Sequence, residues 1–211
     1  MPSTCGGWTL TMEEIVRFRS GDFEIEGLYE SGRTARGVVI THPHPLYGGD
    51  MNNPVVAAIR RAYRMKGFAT LRFNFRGTGE SEGQHDNGVG EQVDVLAALS
   101  FMTESGFHQV DLAGYSFGAW VNALTIQHDS LSENLVMVSP PVAFIDFASI
   151  GRLPGLRLVV TGSRDEIAPP DTIRQMLPTW NPSAHFDIID GSDHFYGRHA
   201  RQLEDVLGRH I

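Results

Sequence analysis

The chain has 211 residues, with 17 basic against 25 acidic side chains and a net charge of −8. That length suits one domain, 1–211, burying about 70% of its unfolded surface, and 41% apolar with 20% charged residues reads as globular, not disordered. The acidic balance argues against nucleic acid or an anionic membrane as a partner, and no apolar run reaches the roughly 18–20 residues of a membrane span.

Residues 1–11 are polar, include Gly6 and Gly7, and lack the basic and apolar regions of a secretory signal, so they read as a loose segment. The single cysteine, Cys5, excludes an internal disulfide and a cysteine metal site, which makes a reducing cytoplasm the default. Residues 13–19 and 23–29 alternate apolar and polar side chains about Ser20-Gly21-Asp22, the pattern of an antiparallel hairpin. Short apolar runs follow at 37–41, 69–75, 110–114, 135–139, 157–161 and 185–189. Their lack of alternation fits parallel strands covered on both faces.

Helical spacing lies between them. Val55, Val56, Ile59, Ala62 and Tyr63 share one face; Val89, Val93, Leu96 and Ser100 another; Ala119, Ala123 and Leu124 a third. A last helix over 198–208 aligns Ala200, Leu203 and Leu207 and stops at Gly208. A hairpin followed by strand–helix units predicts an α/β fold, a mostly parallel sheet with helices on both faces. Such sheets bind ligands at the carboxyl ends of their strands.

The run 110–114 leads into Gly114-Tyr115-Ser116-Phe117-Gly118 and then a helix, a G-x-S-x-G in strand–turn–helix context. The tight turn lifts Ser116 Oγ above the sheet beside a helix N-terminus, where N–H groups favour negative charge. A serine hydroxyl needs a base, and the base needs an orienting acid, expected in the order serine, acid, histidine. Of the histidines after Ser116, His128 lies at the end of the elbow helix, His185 at the start of its strand, and His199 and His210 in the last helix. His194 remains, in a loop just past 185–189. Asp165 lies just past 157–161; Asp146 competes for the acid's role, because related folds take the acid from the preceding strand.

The oxyanion needs two donors: the Phe117 N–H, after the nucleophile, and one from the loop His42-Pro43-His44-Pro45-Leu46-Tyr47-Gly48-Gly49. Pro43 and Pro45 have no N–H, so His44 is the expected donor, with Leu46 or Tyr47 behind it. His42, His44 and Asp50 also raise a metal site. The rigid prolines and the missing third histidine at helical spacing argue against it, so His42 is expected to tie the loop down and no metal or cofactor is expected. The glycine-rich stretch 76–83 lacks the lysine and spacing of a phosphate loop and reads as a structural turn.

Together, His42-Pro43-His44-Pro45 through Gly49 with Met51-Asn52-Asn53, Phe73 through Ser81, Gly114 through Gly118, Gly162-Ser163-Arg164-Asp165 and Asp193-His194-Phe195 resemble the α/β-hydrolase superfamily. The likeness is greatest to small lidless members related to dienelactone hydrolases and carboxylesterases. It implies Ser116, Asp165 and His194 as nucleophile, acid and base. Dienelactone hydrolases carry cysteine where this chain has Ser116. The interval 140–155 is too short for a cap, so the expectation is an open site with Leu46, Tyr47, Phe144 and Phe195 as pocket wall, taking small or short-chain esters. Thioesterase or peptidase action, or a ligand-binding role with little turnover, are the alternatives. Monomer and homodimer are both compatible with the sequence.

Overall fold

A computed structural model describes residues 12–127 and 132–211. The loose segment 1–11 with Cys5, and His128, lie outside the described residues. Strands β1 (Glu14–Ser20) and β2 (Phe23–Glu30) form the expected hairpin, Ser20 opposite Phe23, with Gly21 at φ +59° in the turn between them. There follow β3 (Arg36–Thr41), α1 (Pro54–Met65), β4 (Ala69–Phe73), α2 (Val89–Glu104), β5 (Gln109–Tyr115) and α3 (Phe117–Ile126). The chain closes with β6 (Leu135–Val138), β7 (Leu156–Gly162), α4 (Pro170–Trp180), β8 (His185–Ile189) and α5 (Ala200–His210).

One eight-stranded sheet runs β1-β2-β4-β3-β5-β6-β7-β8. The β1, β2 and β4 pairings are antiparallel, and every pairing from β4 to β8 is parallel. Successive strand residues feed two cores: Val39, Leu112, Met137 and Val159 join one, and Val38, Ile40, Ala113, Val136 and Val160 the other, all without exposure. Both faces being covered explains the unbroken apolar runs in these strands.

Two helical expectations need correction, and one helix goes beyond them. In α2, Val89 and Val93 are exposed, and the buried side carries Glu91, Asp94, Val95, Ala98, Leu99 and Met102. Two carboxylates sit on the inner face because partners satisfy them there. Asp94 accepts from the Arg76 guanidinium and Ser20 Oγ, and Glu91 accepts the Asp86 and Gly88 N–H groups. Helix α4 was not anticipated, although Pro170 stands in its first turn and Ile173 and Trp180 are buried at helical spacing. Helix α5 runs past Gly208 to His210, whose ring meets Asp187 at 2.7 Å and whose carbonyl accepts from Arg157.

The stretch 76–83 is the structural turn expected: its Glu82 N–H donates to Glu24 O at 2.9 Å and joins the turn to the hairpin. Between β6 and β7 the chain forms only turns and bends, while Phe147, Ile150 and Leu153 anchor it in the core. Among the described residues no helix is long and apolar enough to cross a membrane.

Candidate active site

The site grows from the turn between β5 and α3. Ser116 has φ +54° and ψ −120°, a conformation costing a non-glycine residue about 1–3 kcal/mol. Two glycines make the turn possible by close approach. A Cβ on Gly114 would stand 2.6 Å from the Ala119 nitrogen, and one on Gly118 would stand 2.7 Å from the His42 carbonyl oxygen. Helix α3 thus starts directly at Ser116, and its first N–H groups, Phe117's included, have no partner within the helix.

The loop after β8 brings His194 to this turn. His194 Nε2 lies 3.0 Å from Ser116 Oγ, and Nδ1 lies 3.0 Å from each Asp165 carboxylate oxygen. Asp165 follows β7 and is 2% exposed. Burial alone would raise its carboxyl's pKa. The hydrogen bond and charge of His194, the Ala168 N–H and Ser139 outweigh that and hold it below the ordinary value. An anionic Asp165 holds the proton on Nδ1 and turns the Nε2 lone pair toward Ser116. Asp146, the competing acid, is exposed and caps its own turn by accepting from the Ala148 N–H at 2.7 Å.

The loop after β3 lies against the same turn. His44 caps a short 3₁₀ turn, Pro45–Tyr47: its Nδ1 accepts from the Leu46 N–H at 3.3 Å, and its carbonyl accepts from the Tyr47 N–H at 3.1 Å. The two alternative oxyanion donors are therefore already spent inside the loop. His42 is fully buried, donating from Nδ1 to Pro43 O at 2.7 Å and accepting the Phe75 N–H on Nε2 at 3.0 Å. Burial pushes its pKa down to about 4, against smaller opposing effects of the Pro43 carbonyl and Asp50. Both ring nitrogens are engaged, so His42 ties the loop to the chain after β4 and keeps no lone pair for a metal. Among the described residues no three His, Cys, Asp or Glu side chains gather where an ion could sit.

Ser116 and His194 open into a cavity of about 420 Å³ walled by Tyr47, Phe117, Phe144, Ile145, Ile167 and Phe195. Leu46, expected in this wall, is not part of it: the 3₁₀ turn leaves it 69% exposed and off the cavity. No Asp, Glu, Lys or Arg among the described residues lines the space.

Three contributors escaped the sequence reading. Ser139, just past β6 with φ +44°, helps to lower the Asp165 pKa, and its Oγ lies 2.7 Å from the hydroxyl of fully buried Tyr196. Tyr115 OH donates to the His194 carbonyl at 2.9 Å and so pins the loop that carries the imidazole. His85 lies 2.8 Å from the buried Glu91 carboxylate and beside the rings of His44 and Phe117. Ser139 follows a strand's carboxyl end, the one signal in the sequence that could have found it.

No protein-family model matches the chain. An uncharacterised Rickettsia prowazekii protein, RP471, is 33% identical over 208 residues, covering 93% of this chain and 87% of that protein. The solved structure of an α/β serine hydrolase homologue from Coxiella burnetii is 32% identical with a TM-score of 0.88, covering 95% of this chain and 98% of that one. A Xanthomonas campestris protein, XC6422, described as an α/β serine hydrolase without a lid, is 27% identical with a TM-score of 0.84, covering 94% and 93%. Sequence identity sustained over nearly the full length and the same fold agree: the chain belongs to the α/β-hydrolase superfamily, among its lidless members.

Proposed function

We propose that the protein is a serine hydrolase that cleaves small or short-chain carboxylic esters through an acyl-enzyme. The observation that carries this reading is the unbroken line Asp165–His194–Ser116, with 3.0 Å at each step, on a strained turn beneath an open, uncharged cavity. Ser116 Oγ attacks the ester carbonyl as His194 Nε2 accepts its proton. Asp165 keeps the Nδ1 proton in place and stabilises the imidazolium. The Phe117 N–H at the start of α3 and the His44 N–H hold the tetrahedral oxyanion. His194 then gives its proton to the leaving alcohol, and a water activated by the same imidazole releases the acid.

The cavity wall weighs on the alternatives. A thioester on a phosphate-bearing carrier calls for Lys or Arg near the mouth, and none lines this space among the described residues. A binding protein needs neither an oriented imidazole nor a strained serine. Hydrolysis of p-nitrophenyl esters from acetate to long acyl chains, by wild type and Ser116→Ala, tests the proposal. Ser116-dependent turnover that peaks at short chains is expected, with rapid fluorophosphonate labelling of Ser116. Turnover equal to the Ser116→Ala background, with no labelling, overturns it.

A further inference from the structure

The wall of the cavity is aromatic along one continuous line. The Phe144 ring stands 5.8 Å from Tyr47 at 71°, Tyr47 4.9 Å from His44 at 67°, and His44 4.7 Å from Phe117 at 45°. Phe117 is buried and adjoins Ser116, whereas Tyr47 and Phe144 are 74% and 59% exposed. The line therefore runs from solvent down to the reacting serine. Phe195, also on the cavity wall and 68% exposed, meets the His194 ring edge-on at 5.6 Å and 89°. Three large rings stand out in solvent around the cavity that Ser116 lines.

The chemistry of the line restricts what fits it. Burial, aided by the neighbouring His85, lowers the His44 pKa and keeps that ring neutral, so the line carries no charge of its own. With no Asp, Glu, Lys or Arg on the wall among the described residues, an ionised substrate group would lose hydration and gain no oppositely charged side chain there. An aliphatic chain fills apolar space as well against leucine as against phenylalanine. A flat ring gains more, because ring pairs with centroids about 4.5–7 Å apart attract beyond their buried area through edge-to-face and offset contacts. The spacing along Phe144, Tyr47 and His44 lies in that range, so a further ring laid against them continues the same pattern.

Building on the serine-hydrolase reading, we infer that the substrate is an uncharged ester bearing an aromatic ring, seated against Phe144, Tyr47 and His44. Two matched pairs test it: methyl 3-phenylpropanoate against methyl 3-cyclohexylpropanoate, and 2-phenylethyl acetate against 2-cyclohexylethyl acetate. Within each pair the reacting ester is the same, and only the remote ring changes. The cyclohexyl member is the more hydrophobic, so a merely greasy wall favours it. An aromatic line favours the phenyl member, by about 2- to 12-fold in kcat/KM in at least one pair. Phe144→Leu and Tyr47→Leu keep apolar bulk but remove a ring, and each is expected to bring that ratio toward one.

Ratios at or below one in both pairs overturn the inference and leave the hydrolase reading intact, since Ser116 still cleaves the esters. A phenyl preference that survives both substitutions also overturns it, because its source lies elsewhere. If no ester is cleaved above the Ser116→Ala background, the hydrolase reading fails, and binding decides the inference. In that event 3-phenylpropan-1-ol and 3-cyclohexylpropan-1-ol are titrated calorimetrically into the Ser116→Ala protein. Tighter phenyl binding that Phe144→Leu abolishes sustains the aromatic site; equal or weaker binding overturns it.

Discussion

Asp165 and His42 are both buried groups whose ionisation is set by hydrogen bonds and burial, yet their consequences differ. Asp165 is held below its ordinary pKa despite burial because His194, the Ala168 N–H and Ser139 favour the anion. Replacing it with asparagine keeps the shape but removes the acceptor that selects the Nδ1-protonated imidazole. Asp165→Asn is expected to lower kcat about 10⁴-fold, while Asp146→Asn, at an exposed turn, leaves ester turnover unchanged; steady-state kinetics of the two proteins decide. His42 acts on stability instead. Its folded pKa of about 4 lies below the ordinary 6.5, so folding favours the neutral ring. That contribution is fully present above pH 6.5 and is lost as the pH falls toward 4, a change of about 3 kcal/mol. Urea unfolding at pH 7 and pH 4.5 is expected to show wild type losing about 2–3 kcal/mol more than His42→Asn over this interval. Equal losses would remove His42 as the source.

At the scale of the elements, the turn between β5 and α3 was readable because its glycines are demanded by backbone contact and not by side-chain chemistry. A methyl on Gly114 meets the Ala119 nitrogen and the Gly118 carbonyl carbon at 2.6 Å, whereas one on Gly151 has only a Gln127 oxygen at 3.9 Å. Gly114→Ala is expected to cost about 1–3 kcal/mol and to slow fluorophosphonate labelling of Ser116 at least tenfold, with Gly151→Ala close to wild type in both. Other elements hid their roles for equally physical reasons. The inner face of α2 could not be found by apolar spacing, since Glu91 and Asp94 are buried there against partners as distant in sequence as Ser20 and Arg76. Helix α4 has few buried apolar positions, only Ile173 and Trp180 being fully enclosed, so its period is faint. In the site, Ser116, Asp165 and His194 stood at strand ends and were legible one by one. Ser139 and Tyr196 were not, because what makes them matter is a positive φ at each and a hydroxyl contact across 57 residues.

For the whole molecule the decisive feature is where the sheet leaves its edge open. Strands β3, β5, β6, β7 and β8 all end on one side, and their loops supply His44, Ser116, Ser139, Asp165 and His194. Among the described residues, a cover would come from the connection between β6 and β7. That segment is instead held down by Phe147, Ile150 and Leu153, which are 2%, 3% and 0% exposed in the core. Lifting it would expose these side chains at about 25 cal/mol for each Å², so the segment is no hinged flap. Enzymes with covered sites gain rate at an oil–water boundary when the cover opens. With the β6–β7 segment anchored, the rate on tributyrin is expected to rise hyperbolically and pass through the substrate's solubility limit without a step. The Tyr47, Phe144 and Phe195 rings make this a demanding test, because they give the open mouth an apolar rim that an oil surface would also attract. If surface attraction alone operated, droplets would hold the enzyme and slow its action on a soluble ester added alongside. A step upward at the solubility limit would instead require a closed form of the site, contrary to the way the β6–β7 segment is anchored.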